Sequence, residues 1–157
     1  NFLSNKFKVV YNDASLLNVN GQIKYQLKEK INIIAKGNYY GYQLDSNAKA
    51  WHRPDFDITL SGIYNLKSKI VVKADLFYIG KQWALQQNTD ALTGVKTQKQ
   101  VQLKGFADIN LGAEYRYSKM LSFFVNFNNI GNVRYYRWDR YPTQSFNAMI
   151  GLTFVPF

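Results

Sequence analysis

The alternation of apolar and polar residues constrains the fold of this chain more than any other feature. From Phe146 to Phe154, near the end of the sequence, apolar side chains alternate with small or polar ones. Successive side chains of a β-strand point to opposite faces of a sheet, so this pattern predicts a strand with one apolar face. The final residue, Phe157, is out of phase with Phe154, and Pro156 between them cannot donate a hydrogen bond to a neighbouring strand.

The same alternation recurs in about eight segments of roughly ten residues each, the length of tilted strands that cross a membrane. The segments lie at residues 17–26, 31–40, 55–64, 70–81, 103–117, 121–130 and 146–154, and a further one begins at 7–11. In each segment one face is almost entirely apolar, while the opposite face carries most of the polar and charged residues. The sequence therefore predicts an all-β fold, an antiparallel transmembrane β-barrel, over residues 1–157.

The connections between these segments alternate between short turns and long loops. The short turns lie at residues 28–30, 67–69 and 118–119, and the long loops lie at 45–54, 85–102 and 131–145. Outer-membrane barrels have short turns on the periplasmic side and long loops on the outside. Apolar-face aromatic residues cluster near both ends of the strands, as the two membrane interfaces favour. They are Tyr25, Tyr64, Tyr115 and Tyr117 near the short turns, and Tyr11, Tyr39 and Tyr78 near the long loops.

Composition agrees with this interpretation. Aromatic residues make up 17% of the 157 residues and include 12 tyrosines, which suit surfaces where a ring meets both lipid and water. No apolar run reaches the roughly 20 residues of a transmembrane helix, and no secretory leader opens the sequence. We therefore expect that a signal peptide has been removed or that the chain is a fragment.

The face opposite the apolar one is predicted to line the interior of the barrel. Its charged residues include Lys36, Asp57, Lys73, Asp75, Lys104, Asp108, Glu114 and Arg116. Mixed charges of both signs suit a polar lumen. A soluble antiparallel sandwich is the alternative, but its apolar face would need a partner sheet.

The formal net charge of +10 raises the alternative of a soluble basic domain that binds nucleic acid. The positions of the charges argue against nucleic acid as a partner, because much of the basic excess lies in the turns and loops. These residues are Lys28, Lys30, Lys67, Lys69 and Lys119 in the turns, and Arg53, Lys96, Lys99, Arg134, Arg137 and Arg140 in the loops. A solvated surface explains this distribution, and basic outer loops would also attract anionic lipopolysaccharide.

The sequence offers no set of residues suited to catalysis or metal binding. Its single histidine, His52, lies in a predicted loop, so residue types alone can assemble neither a metal cluster nor an ordinary Ser-His-Asp triad. An outer-membrane hydrolase built from His52 with Asp55, Asp57 and Ser61 is the alternative, yet the two aspartates and the serine are predicted to point inward from a strand. We therefore expect neither an enzyme nor a bound cofactor.

Residues 123–154 carry a resemblance to a known family. The relevant parts are Phe124-Val125-Asn126-Phe127-Asn128-Asn129-Ile130-Gly131-Asn132, Tyr135-Tyr136-Arg137-Trp138, Tyr141-Pro142, Ser145-Phe146-Asn147 and Gly151-Leu152-Thr153-Phe154. This segment resembles the C-terminal end of TonB-dependent outer-membrane receptors of Gram-negative bacteria. In that family the last strand closes a barrel of about 22 strands around an N-terminal plug. Asn128, Asn129 and Asn132 can cap a strand end with side-chain hydrogen bonds and tolerate left-handed backbone, so we expect the chain to leave the sheet there.

The resemblance implies a receptor segment that takes part in the uptake of a scarce nutrient, such as a metal chelate, cobalamin or a glycan. The implied partners are outer-membrane lipid, lipopolysaccharide, the barrel-insertion machinery, TonB, a plug domain and a surface lipoprotein. The last strand would carry the signal for insertion, at Ile150, Leu152, Phe154 and Phe157.

Two predicted outer loops contain candidates for contact with a ligand or with the membrane interface. They are Trp51, His52 and Arg53 in one loop, and Tyr135, Tyr136, Arg137, Trp138, Arg140 and Tyr141 in the other. For Tyr135, Tyr136 and Trp138 we expect anchoring at the outer interface, and contact with a ligand is the alternative.

A complete small barrel of eight strands is the main alternative for the whole chain. The strand near residue 7 would then pair with the last strand, and side chains such as Phe77, Tyr40, Phe106 and Phe124 would fill the interior. Such a protein would not conduct large solutes, and its role would be structural, adhesive or accessory to a complex.

Overall fold

The computed structural model describes residues 13–45, 49–90 and 92–156, and its strands pair in the antiparallel manner. The strands are β1 (Ala14–Leu27), β2 (Ile31–Leu44), β3 (Phe56–Leu66), β4 (Ile70–Ile79), β5 (Gln82–Thr89), β6 (Lys96–Leu103), β7 (Phe106–Arg116), β8 (Leu121–Asn128), β9 (Tyr136–Trp138), β10 (Tyr141–Pro142) and β11 (Asn147–Phe154). In this part of the chain, no helix has the length and apolar character needed to cross a membrane. The predicted all-β antiparallel fold is confirmed.

Seven strands form one sheet in the order β1-β2-β3-β4-β7-β8-β11. Tight turns at residues 28–30, 67–69 and 118–120 join β1 to β2, β3 to β4, and β7 to β8. Because all neighbours are antiparallel, the three turns lie at the same end of the sheet and the longer connections lie at the other. The predicted alternation of short and long connections is confirmed.

The pairing register places the predicted apolar residues of all seven strands on one face. The middle row of this face consists of Ile23, Ala35, Leu60, Leu76 and Ile109. A slip of one residue in any strand would turn its apolar side chains to the opposite face. The pattern in the sequence and the hydrogen-bonded register therefore specify the same arrangement.

The apolar face is uncovered by any other part of the described chain. Ile23 is 75% exposed, Ile150 82% and Leu152 63%. Among the described residues, the buried hydrophobic side chains are limited to Val71, Ala84 and Phe106. Soluble domains rarely leave so large an apolar surface open to water, whereas lipid covers such a surface in a membrane barrel. This exposure argues against the soluble sandwich.

On the opposite face, two aspartates are held by neutral donors from neighbouring strands. The side-chain amide of Asn38 donates to Asp57 at 2.7 Å, and the hydroxyl of Ser61 donates to Asp75 at 2.5 Å. These bonds join β2 to β3 and β3 to β4 through side chains as well as through the backbone. The carboxylates are therefore accommodated by hydrogen bonds with neutral groups.

The predicted loop at residues 85–102 is the largest difference between sequence and structure. It is a two-stranded hairpin of β5 and β6, which pair from Gln82 with Leu103 to Thr89 with Lys96. Most side chains of this hairpin are polar, so it lacks the apolar alternation that revealed the other strands. The loop prediction was wrong because a hairpin outside the bilayer needs no lipid-facing surface.

The predicted strand at 103–117 also begins later than expected, at Phe106. Lys104 and Gly105 form the link from β6 to β7, so the assignment of Lys104 to an inward strand position was wrong. A Cβ atom on residue 105 would lie 2.9 Å from the carbonyl oxygen of Ile79. The close approach of the two chain segments at this link therefore requires glycine.

Other bounds shift by a few residues. The strand predicted at 70–81 ends at Ile79, and the loop predicted at 131–145 contains the short strands β9 and β10. The strand predicted to begin at 7–11, with Tyr11, and the terminal Phe157 lie outside the described residues.

The turn after β8 is organised by Asn129, which is 3% exposed. Its side-chain amide donates to the carbonyl oxygens of Val133 and Gln144 at 3.0 and 2.9 Å, and its Oδ1 accepts the N–H of Val133 at 3.0 Å. Its own backbone N–H donates to Oδ1 of Asn110 on β7 at 2.9 Å. The φ angles of Asn129 and Asn132 are +50° and +49°, in the left-handed region that asparagine tolerates.

The neighbouring asparagines attach this turn to the start of β11. The side-chain amide of Asn128 donates to Oδ1 of Asn147 at 2.9 Å, and Oδ1 of Asn132 accepts the N–H of Phe146 at 3.1 Å. The predicted asparagine cap is confirmed. Its hydrogen bonds position the whole loop that carries β9 and β10.

A lysine on the apolar face should oppose insertion into a bilayer. Ile23→Lys places a charge among lipid chains and should cost about 2–4 kcal/mol of folding free energy. Gln22→Lys, one residue earlier on the opposite face, should cost much less. The measurement is the free energy of unfolding of the intact protein refolded in lipid vesicles, and equal losses in the two variants would contradict the assignment of the faces.

Removal of the Asn129 side chain should loosen the loop between β8 and β11. Asn129→Ala leaves buried backbone groups unpaired, which should cost about 1–3 kcal/mol of folding free energy. It also places alanine in left-handed backbone, which asparagine tolerates better. Asn129→Gly loses the same hydrogen bonds but fits the backbone, so its loss should be smaller by about 1 kcal/mol. Native-state hydrogen exchange over residues 130–146 measures the opening, and unchanged exchange in both variants would show that Asn129 does not hold the loop.

Candidate functional site

A cleft of about 800 Å³ lies at the long-loop end of the sheet. Its floor comes from the polar face of β3, β4 and β7, and its rim comes from the loop before β3, the start of β5 and the segment around β9. Its lining includes Asp57, Phe77, Phe106, Asp108 and Asn110 from the floor, and His52, Arg53, Gln82, Tyr135, Arg137 and Trp138 from the rim. The fold thus joins the two predicted outer loops with part of the predicted inward face.

Tyr135 forms one wall of the cleft by packing onto β7. Its ring stacks on that of Phe106, with centroids 3.6 Å apart and an interplanar angle of 9°. Its hydroxyl donates a hydrogen bond to Oδ2 of Asp108 at 2.7 Å. Tyr135 was expected at the outer interface, and this expectation is corrected, because Phe106 and Asp108 supply a stacking surface and an acceptor on the polar face.

The environment of Tyr135 keeps its hydroxyl in the donor form. Burial raises the pKa of Tyr135 above its ordinary value, and the hydrogen bond with Asp108 and the negative charge of that carboxylate raise it further. The hydroxyl of Thr143 and the charge of Arg137 act in the opposite direction and are weaker. The hydroxyl therefore stays protonated at neutral pH, and Oδ2 of Asp108 stays occupied by it.

His52 and Trp138 form a second aromatic wall. Their ring centroids lie 4.8 Å apart, with an interplanar angle of 37°. The backbone of His52 is left-handed, with φ of +56°, and its N–H donates to the carbonyl oxygen of Trp83 on β5 at 2.7 Å. The indole of Trp138 remains 62% exposed. The tilted ring contact joins the two side chains and the backbone bond positions His52, while the Trp138 ring stays available to a ligand.

Three buried polar atoms of cleft residues lack a hydrogen-bond partner within the described part of the chain. They are Nδ1 of His52, Oε1 of Gln82 and Oδ1 of Asp108. Gln82 is only 5% exposed, so its side chain is fixed within the wall. An unpaired buried polar atom costs about 1–3 kcal/mol, and such atoms occur where a ligand or water completes the site. Oε1 of Gln82 and Oδ1 of Asp108 are therefore hydrogen-bond acceptors without a donor in the cleft wall.

The charged groups of the cleft balance. Arg53 and Arg137 share the lining with Asp57 and Asp108, so the basic excess of the whole chain is not concentrated here. The arrangement can stack a planar or ring-shaped group, accept hydrogen bonds from hydroxyl or amine groups, and donate to acidic oxygens. The lining therefore offers groups suited to the recognition of a ligand.

The β5–β6 hairpin supports the rim of the cleft from outside. The side-chain amide of Gln86 donates to Oδ1 of Asp139 at 2.9 Å, and Nη2 of Arg140 donates to Oδ1 of Asn88 at 2.8 Å. These bonds link the hairpin to the residues that follow Trp138. These contacts could not be predicted from the sequence, because they join segments more than 50 positions apart, and the hairpin contributes only uncharged side chains to them.

The structure brings together only part of the predicted outer set. His52, Arg53, Tyr135, Arg137 and Trp138 line the cleft. The other predicted residues lie outside its lining: Trp51 forms a bridge with Trp83, Arg140 bonds to Asn88, and Tyr136 and Tyr141 are exposed. Sequence proximity alone could not separate these two groups.

The predicted inward set divides in the same way. Asp57 and Asp108 line the cleft, whereas Lys36, Lys73, Asp75, Glu114 and Arg116 lie elsewhere on strands and Lys104 lies in a link. Arg116 pairs with Glu114 at 3.1 Å. Gln82 and Asn110 were missed as site residues. The alternation placed Asn110 on the inward face, but Gln82 followed the predicted end of a strand and carried no signal.

Comparison with models of protein families finds no match, and comparison with curated protein sequences finds none either. Solved structures do match. The chain is similar to the ferripyoverdine receptor of the outer membrane of Pseudomonas aeruginosa, with 20% identity and a TM-score of 0.77, over 91% of this chain and 20% of that one. It is also similar to the siderophore receptor PiuA from Acinetobacter baumannii, with 18% identity and a TM-score of 0.70, over 91% and 22%.

A third similar structure is the ferric-catecholate import receptor Fiu from E. coli K12, with 16% identity and a TM-score of 0.68, over 92% of this chain and 21% of that one. The chain spans about a fifth of the length of these receptors. The match extends over nearly all of its residues, and it agrees with the resemblance found in residues 123–154. The chain therefore has the fold of the β-barrel portion of TonB-dependent outer-membrane receptors.

Proposed function

We propose that this chain is a barrel segment of a receptor in the outer membrane of a Gram-negative bacterium and takes part in the uptake of a scarce nutrient. The observation that carries the proposal is the cleft between the polar face and the long loops. Because the long loops of such barrels face the outside, the cleft would meet the external medium. Its position fits a first contact with a ligand that then passes through the barrel.

The chemistry of the cleft supports a ligand with a ring face and several hydrogen-bond donors. Trp138 offers an exposed indole for stacking, while Gln82 and Asp108 offer unpaired acceptor oxygens. Clefts with aromatic walls and a few placed polar groups are typical of small-molecule sites. A metal chelate, cobalamin or a glycan all carry groups of this kind.

The names of the similar receptors favour a metal chelate among these classes. They describe a receptor bound to ferripyoverdine, a siderophore receptor and a ferric-catecholate import receptor. The aromatic rings of such a chelate would lie on the stacking surface, and N–H or O–H groups that do not bind the metal would donate to the acceptors. The two arginines of the cleft would contact acidic oxygens of such a ligand.

The proposal includes the partners of such a receptor. The polar face, with Asp57 and Asp75 bonded to neutral groups, would contact a plug domain, and that domain would connect to TonB. The exposed apolar residues of β11, Ile150, Leu152 and Phe154, would be recognised by the insertion machinery. Basic outer loops would contact lipopolysaccharide, and a surface lipoprotein would be a further partner.

A small closed barrel requires that β1, or the residues before it, pair with β11. Within the described residues, β1 and β11 are the two edges of the sheet and do not pair with each other. Unpaired strand edges are not tolerated in lipid, so both edges need further strands. No observation favours the small barrel over the receptor segment.

The intact mass of the native polypeptide tests the proposal. Detergent extracts of outer membranes would be analysed by mass spectrometry, and a peptide that covers residues 135–141 would identify the protein. We expect a mass several times the 18.2 kDa of this chain, because a receptor needs a longer barrel and a plug. A native mass near that of this chain would overturn the receptor proposal in favour of the small barrel.

Replacement of Trp138 with alanine should weaken ligand binding by the intact protein. Loss of one aromatic stack removes about 0.5–1.5 kcal/mol, or up to roughly tenfold in affinity. Tyr141→Ala is the control, because Tyr141 lies on the same hairpin, is 73% exposed and does not line the cleft. Calorimetric titration with ferripyoverdine, a ferric catecholate, cobalamin and neutral oligosaccharides measures the effect. Equal affinity in both variants would show that the cleft does not bind the ligand.

A further inference from the structure

The short-turn end of the sheet is strongly basic. Its three turns, at residues 28–30, 67–69 and 118–120, contain five lysines and a single acidic residue, Glu29. We call the five the lysine belt: Lys28, Lys30, Lys67, Lys69 and Lys119. All five are exposed. Their positive charge is therefore free to meet a ligand outside the protein.

The backbone brings the three turns into one continuous edge. The N–H of Asn65 donates to the carbonyl oxygen of Lys30 at 2.7 Å, which places the first turn beside the end of β3. The N–H of Arg116 donates to the carbonyl oxygen of Lys69 at 2.7 Å, which places the second turn beside the end of β7. Lysines far apart in the sequence thus form a belt along the same rim.

Exposed tyrosines border the belt on the apolar face. They are Tyr25, Tyr64, Tyr115 and Tyr117, and each lies within a few residues of a turn. Tyrosine is enriched where the hydrocarbon of a membrane meets the headgroups. The lysine belt therefore lies just beyond the hydrocarbon, at the level of the lipid phosphates.

An apolar groove of about 390 Å³ leads from this rim into the apolar face. Ala113 lies at its centre, and its methyl group is smaller than the side chains of Tyr115 and Val125 on either side. Ile70, the first residue after the turn that holds Lys67 and Lys69, lies at the end near the belt. The groove and the belt are therefore continuous.

We propose that this surface binds an anionic phospholipid of the leaflet that meets the short turns. Lysines of the belt hold its phosphate, and one acyl chain lies in the groove over Ala113. Charge complementarity supports this occupant, since each lysine near an anionic membrane surface favours binding by about fivefold. The long lysine stems can lie along apolar surface while the ammonium groups reach the phosphate.

The proposal concerns a different part of the molecule from the ligand cleft. The cleft lies at the long-loop end of the sheet, and none of its lining residues belongs to the belt or to the groove. Arg116 is not counted in the belt because Glu114 neutralises it at 3.1 Å. The proposal of a lipid site therefore does not depend on which nutrient the receptor takes up.

The test uses the intact protein in nanodiscs that contain equal amounts of phosphatidylglycerol and phosphatidylethanolamine. Native mass spectrometry measures which lipid stays bound. We expect the wild type to retain phosphatidylglycerol in preference to phosphatidylethanolamine. In the double variant Lys67→Gln and Lys69→Gln, this preference should fall by about fivefold for each lysine removed. The double variant Lys96→Gln and Lys99→Gln removes the same charge from the β5–β6 hairpin, and it should leave the preference for phosphatidylglycerol unchanged.

A second variant tests the groove. Ala113→Leu fills the space with a lipid-compatible side chain, so it should preserve folding but reduce the number of retained lipids. Excess inorganic phosphate should not displace the lipid if the acyl chain contributes. Equal retention of both lipids by the wild type, or equal losses in the two lysine pairs, would overturn the proposal.

Discussion

The requirement that every backbone hydrogen bond be made within the sheet controls the rest of this structure. In lipid no water can pair with a free N–H or C=O group, so the strands must form an unbroken ladder. The ladder fixes the register, and the register places apolar residues such as Ile23 and Leu76 on one face. Stability therefore does not need a hydrophobic core of the kind found in soluble domains. It comes from the ladder, from lipid against one face, and from polar contacts such as Asn38 with Asp57 on the other.

Where this constraint acts, the sequence alone predicted the structure well. The alternation gave the faces of all seven strands of the sheet, since lipid requires apolar side chains at every second position. The turns at 28–30 and 67–69 were equally clear, because the pattern stops there and resumes after three residues. The asparagines after β8 were also identified correctly, since few other residues both cap a strand end and accept left-handed backbone.

Where lipid does not act, prediction from sequence was weaker. The β5–β6 hairpin carries polar residues on both faces, and a loop can have the same composition. Lys104 matched the alternation by chance, because a link between strands need not break the pattern. The position of Tyr135 depended on Asp108 and Phe106, which are distant in the sequence and become neighbours only through the pairing of strands. The cleft itself is a product of these long-range contacts, so only some of its residues could be named in advance.

The way in which the loops are held also explains how the cleft can remain open. Apolar packing strong enough to fix the loops would fill the space between them with side chains. Here a buried amide, Asn129, fixes the turn by bonds to backbone groups, and Gln86 and Arg140 fix the rim through single polar contacts. Directional bonds of this kind determine position without occupying volume. Trp138 and Gln82 are thus held at the cleft while its interior stays accessible to a ligand.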